Sequence, residues 1–184
     1  MTDQRARDSL RELLSIMSDV HGNTAELGVW QGATTRVILE ALPNVEHWGV
    51  DTFEGIPDRE LHPDETHLLG QFADPQLDDL RELNRTEGRL HLVRGTFPDV
   101  ELPEQRYIAA FYDADTGRGV HDFLDYFWPR VRVGGLLVFH DFAWRECPGV
   151  TRALRPFWDA RMLFERPMIT YMWKPEERCL PSIG

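Results

Sequence analysis

The chain has 184 residues, with 20 Lys and Arg against 31 Asp and Glu, a formal net charge of −11 and 42% hydrophobic residues. That length fits one domain with a sizeable core. The acidity excludes binding that rests on phosphate-backbone contacts, so no nucleic acid is expected as a partner.

The apolar positions Leu10, Leu13, Leu14 and Met17 mark a helix over 4–19, stopped by His21-Gly22-Asn23, so 1–22 forms an N-terminal helical segment. A strand follows over 25–29, then a helix over 34–42 ending at Pro43, and a second strand over 47–50 closed by Asp51. The stretch 57–74 is rich in Pro, Asp and His and reads as a loop or lid. A helix over 75–83 leads to a third strand over 90–93. A fourth strand over 107–112 runs into Asp113 and Asp115. After a helix over 121–130, Gly134-Gly135 turns the chain into a fifth strand over 136–139. A helix over 151–159 precedes an antiparallel pair, 162–165 and 169–173, joined at Pro167-Met168.

This alternation predicts a single α/β domain over 1–184, with a doubly wound, Rossmann-like, mostly parallel sheet of about seven strands and an antiparallel C-terminal pair. No run is long enough to cross a bilayer, and the charged start MTDQRARDSLRELL lacks a signal peptide's apolar core. A cytoplasmic protein without a membrane partner is expected. Cys147 and Cys179 have no metal-motif spacing and read as incidental thiols.

Ligands of such sheets bind outside the carboxyl ends of the strands. Those ends offer Glu26 to Gly28, Asp51, Arg94 and Gly95, Asp113 and Asp115, and His140 and Asp141. Four of the five carry a carboxylate, more than a core needs. The first loop has the pattern E-x-G-x-x-x-G, Glu26 to Gly32, where a dinucleotide loop would show G-x-G-x-x-G. Trp30 in its middle hinders a pyrophosphate, and acidic Glu26 suits a cationic ligand. Asp51 can accept both hydroxyls of a ribose. Together they point to S-adenosylmethionine.

Residues 25–57, AELGVWQGATTRVILEALPNVEHWGVDTFEGIP, and 111–154, FYDADTGRGVHDFLDYFWPRVRVGGLLVFHDFAWRECPGVTRAL, resemble the macrocin O-methyltransferase (TylF-like) family of class I methyltransferases. The resemblance implies that fold. It places Glu26, Gly28 and Gly32 around the methionine part of the cofactor, Asp51 on the ribose, and Thr52 and Phe53 beside ribose and adenine. Gly95 and Phe97 continue the adenine wall; Phe53 and Phe97 have simple core packing as the competing reading.

Such enzymes hold a divalent metal at positions matching Asp113, His140 and Asp141, with Asp113 also beside the cofactor. Two carboxylates and waters suit Mg. The departure is His140, where the family has an aspartate, and imidazole suits Mn, Fe, Ni or Zn better. Mixed Asp/Asp/His ligation, Mg held by carboxylates alone, and no metal all stay open; without metal, His140 is a base candidate. Asp115 is the other base candidate, or else a helix cap or turn residue. His62 and His67 read as solvated loop histidines. His21, His47, His91 and His121 carry no motif. Trp128 and Trp158 sit at helix-core spacing, and Trp144 is a candidate for the acceptor pocket.

The expected activity is O-methylation of a hydroxyl on a sugar or natural product, with the cofactor and Mg or Mn. The roof over the acceptor is short relative to the family, which leaves a homodimer open as a way to complete the pocket. The rival readings are a nucleoside-binding protein without catalysis and a nicotinamide-dependent oxidoreductase. The missing dinucleotide loop disfavours the latter.

Overall fold

The computed structural model describes residues 3–63, 65–73 and 78–175. In chain order the elements are α1 (Gln4–Ser15), β1 (Gly22–Leu27), α2 (Ala33–Ala41), β2 (Val45–Asp51), a 3-10 turn (Asp58–Glu60), α3 (Asp78–Thr86), β3 (Leu90–Arg94) and β4 (Tyr107–Tyr112). There follow α4 (Gly117–Arg130), β5 (Val131–His140), α5 (Pro148–Asp159), β6 (Phe164–Arg166) and β7 (Ile169–Trp173). The seven strands form one sheet in the order β3-β2-β1-β4-β5-β7-β6. β1 to β5 pair in parallel, and β7 runs antiparallel to both neighbours. This is the class I methyltransferase arrangement.

Two apolar layers sandwich the sheet. Leu10, Leu13 and Leu14 of α1 and Val37 and Ile38 of α2 pack on Ile108, Phe111 and Val138. On the other face Phe123 and Phe127 of α4 and Leu154 and Phe157 of α5 pack on Tyr107, Ala110, Tyr112 and Phe139. β4, central and covered on both sides, is buried at every residue.

Several boundaries differ from the expected ones for local reasons. β1 ends at Leu27 rather than 29 because Gly28 and Trp30 take positive φ, 91° and 46°. α1 stops at Ser15, well short of 19, and starts at Gln4 because the Asp3 carboxylate accepts the amides of Arg5 and Ala6. α4 begins four residues early because the Thr116 hydroxyl accepts the Gly119 N–H, so Thr116, not Asp115, caps it. β5 begins at Val131, and Gly134-Gly135 lies inside it. Gly134 takes φ 79°, and the β4–β5 register shifts there as a bulge. α3 covers 78–86; the expected start at 75 lies outside the described residues, as does Cys179. Among the described residues no helix is long and apolar enough to cross a membrane.

Candidate active site

The carboxyl ends of β1, β2 and β4 are drawn together by backbone bonds. Gly28 N–H donates to Val50 O at 3.0 Å, and Asp113 N–H donates to Leu27 O at 2.9 Å. A Cβ on Gly28 would lie 2.1 Å from Asp113 O, so no side chain fits at this crossing. The wide loop after β1 then serves Asp51. Trp30 N–H donates to Asp51 Oδ2 at 2.7 Å, and Phe53 N–H donates to Oδ1 at 2.7 Å. Both oxygens are fixed, and each keeps an acceptor lone pair. That is the arrangement a vicinal diol requires.

A cavity of about 500 Å³ opens at these strand ends, a size usual for small-molecule sites. Gly28, Asp51, Thr52, Gly95 and Phe97 line one end; Asp113, Asp115, His140 and Asp141 line the other. The described residues of 57–63 and 65–73 also line it, through Pro57, Glu60, His67, Gln71 and Phe72. Gly70 N–H donates to Ile56 O and Ile56 N–H to Gln71 O, pinning the end of this stretch to Ile56, while the Thr66 hydroxyl donates to Glu146 O.

Three residues expected at the cofactor, Glu26, Gly32 and Phe53, are not among those lining the cavity. Glu26 is fully buried: Oε2 accepts the Thr35 hydroxyl at 2.6 Å and lies 3.2 Å from His47 Nε2, whose Nδ1 is 2.9 Å from the Thr24 hydroxyl. Its neighbour Leu27 faces the cavity, so the period of a strand turns Glu26 to α2. Burial raises the Glu26 pKa. Gly32, at φ 75°, ends the loop against Leu80 and starts α2. Phe53 reaches the site through its amide alone, since its side chain is not on the wall.

The acidic end holds a compact cluster. His140 Nδ1 lies 3.1 Å from Asp113 Oδ1 and 2.7 Å from Asp141 Oδ1, and the Thr34 hydroxyl donates to Asp113 Oδ2 at 3.1 Å. Burial works against a charged His140, but the Asp113 charge and hydrogen bonding to Asp113 and Asp141 raise its pKa to about 10. Burial likewise opposes ionisation of Asp113, yet nearby positive charge, the imidazolium included, holds it at about 2. Asp115, at φ 63°, is pushed well above the usual carboxylate range by burial and by the charges of Asp141 and Asp113.

This donor set fits a divalent cation. Ligand atoms of Asp113, His140 and Asp141 lie within 4.8 Å of one another, and His140 Nε2 and Asp141 Oδ2 are buried without a hydrogen-bond partner. One imidazole among two carboxylates favours Mn or another transition metal over Mg.

Sequence reasoning missed several cavity residues. Glu60 is buried, accepts the Thr116 hydroxyl and has its pKa raised by burial. His67, read as solvated, is only 9% exposed, and Cys147 is buried. Each reaches the cleft through contacts distant in sequence, so no local spacing signals it. Trp144 lines the mouth, 46% exposed. His91 is remote, stacked on Trp48 and paired with Glu46.

Residues 25–142, well over half of the chain, match a family described as "Methyltransferase domain". A curated relative is 27% identical over 154 residues, 72% of this chain: 8-demethyl-8-(2,3-dimethoxy-alpha-L-rhamnosyl)-tetracenomycin-C 4'-O-methyltransferase of Streptomyces olivaceus. The chain spans 58% of that relative's length. Among solved structures, the calicheamicin methyltransferase CalS11 superposes with a TM-score of 0.73 at 24% identity, covering 92% of this chain and 79% of its own. The mycinamycin-pathway methyltransferase MycE, solved in complex with Mg and SAH, superposes with a TM-score of 0.59 at 16% identity, covering 94% of this chain and 51% of its own. Fold and family match agree: the chain belongs to the methyltransferase domain family.

Proposed function

We propose that this chain, a single domain over 1–184, is an S-adenosylmethionine-dependent O-methyltransferase of the macrocin type. Its acceptor is a hydroxyl on a sugar or glycosylated natural product. The observation that carries the reading is Asp51, its two oxygens aimed by the Trp30 and Phe53 amides into a cavity that ends at a carboxylate cluster. The sugar methylation named for the Streptomyces olivaceus relative supports the acceptor class.

Asp51 accepts the ribose hydroxyls, the backbones of Gly28 and Gly95 line the cofactor's end of the cavity, and Phe97 and Thr52 wall the adenine. When bound, S-adenosylmethionine supplies an electrophilic methyl group. Asp113, His140 and Asp141 would hold a divalent metal, which lowers the pKa of an acceptor hydroxyl. Asp115 accepts the proton of that hydroxyl, and burial beside Asp141 and Asp113 raises its proton affinity. The 57–73 segment excludes water and orients the acceptor beside Trp144.

One observation favours a second reading, cofactor binding without turnover: His140 Nδ1 lies at pairing distance from Asp113 and Asp141 together, so an imidazolium can take a cation's place there. The test is formation of S-adenosylhomocysteine from the methyl donor when rhamnosylated polyketides are added with Mn²⁺, Mg²⁺ or chelator. The proposal expects acceptor-dependent turnover, suppressed at least about 100-fold in Asp115→Asn. Tight cofactor binding with no turnover on any acceptor would favour the second reading.

A further inference from the structure

A second group of donors lies on the same cavity and has no part in the site above except Asp115. His67 from the lid, Asp115 from the turn after β4 and Cys147 at the N-terminus of α5 bring ligand atoms within 4.8 Å of one another. Cys147 Sγ lies 3.7 Å from Asp115 Oδ1. Tetrahedral zinc, with Zn–S and Zn–O bonds near 2.3 and 2.0 Å, separates such atoms by about 3.5 Å. The second observation is His67 itself, 91% buried by its 9% exposure, whose Nδ1 has no hydrogen-bond partner. An imidazole nitrogen left dry and unpaired is costly, and a metal ion satisfies it.

We propose that His67, Asp115 and Cys147 form a three-ligand site for a zinc-class divalent cation, with its fourth position open to the cavity. Thiolate and imidazole select a softer ion than the carboxylate-rich cluster beside it. All three residues line the cavity, which leaves room for water at the open position. Binding displaces the thiol proton of Cys147 and replaces the weak Cys147–Asp115 hydrogen bond with two metal bonds. It also joins the 57–73 segment to α5 and β4, fastening the lid. Because the ion occupies the carboxylate proposed as the base, the site is an inhibitory one.

The test uses the full chain in a Cys179→Ser background, which leaves Cys147 as the only thiol. Co²⁺ is titrated into chelator-treated protein and followed by absorption, and Zn²⁺ is titrated against a chromophoric chelator. The proposal predicts a thiolate-to-cobalt charge-transfer band displaced by one equivalent of Zn²⁺. It also predicts that His67→Gln and Cys147→Ser, checked for folding by circular dichroism, each weaken Zn²⁺ at least about 100-fold. Asp113→Asn weakens Zn²⁺ far less. No charge-transfer band in the folded Cys179→Ser protein, or Zn²⁺ affinity unchanged in His67→Gln, overturns it. Neither readout depends on cofactor binding or turnover, so its failure is distinct from failure of the methyltransferase reading.

Discussion

Single side chains at the strand ends divide into those that face the cleft and those that hold it in shape. Glu26 belongs to the second kind: a buried carboxylate held by Thr35 and His47. Its folded pKa is raised above 4.5, so the stability linked to its protonated form is full below about pH 4.5 and is lost as pH rises through the folded value. Wild type is therefore expected to lose stability relative to Glu26→Gln across that window, measured by urea unfolding at several pH values. Cofactor affinity of Glu26→Gln should stay within about twofold of wild type, under 0.5 kcal/mol. His140 has the same sign of linkage in a higher window. Its pKa rises from 6.5 to about 10, so the stability advantage of metal-free wild type over His140→Gln is full below pH 6.5 and disappears as pH passes through about 10. An advantage that grew with pH would contradict the ion-pair assignment. Asp51, Asp113 and Asp141 were legible in the sequence because a carboxylate following an apolar strand run has few structural uses. The orientation of Glu26 was not legible, because a one-residue change in which β1 side chain faces the cleft turns it from the cavity to α2.

At the scale of elements, the lid and α4 carry the expectations. The Gly70 amide donates to Ile56 O and the Ile56 amide to Gln71 O, loop bonds outside any helix or strand, so they are expected to open locally in the free protein. Adding cofactor and acceptor should slow their hydrogen exchange by at least about tenfold, and unchanged exchange would rule out a lid. α4 ends on Lys174, the only lysine in the chain, which is 2% exposed. Its Nζ donates to Trp128 O and Val131 O, both at 2.8 Å. The ammonium satisfies carbonyls at the helix end and complements its dipole. Lys174→Met should cost about 2–4 kcal/mol in urea unfolding, because it strands two buried acceptors. The 57–74 stretch was legible as a loop or lid, but the meeting of His67 with Cys147 was not: they are 80 residues apart in the chain, and only the fold brings them together.

For the whole molecule, alternation of strand and helix signals was enough to read the sheet, since each crossover must bury an apolar stripe on one of its faces. The two apolar layers on either side of β4 are the result. Ends of elements were less legible where a cap or bulge decided them, as at Thr116 and Gly134. All five parallel strands deliver their carboxyl ends to one side, and the cavity there combines Asp51 with the acidic cluster. The central claim, that this cavity holds a methyl donor through Asp51, is tested most directly by calorimetric titration with S-adenosylhomocysteine. The account predicts micromolar binding by wild type and a loss of about 30-fold or more in folded Asp51→Ala, about 2 kcal/mol for two charge-assisted hydrogen bonds. Absence of binding by wild type, or equal affinity in Asp51→Ala, would contradict it.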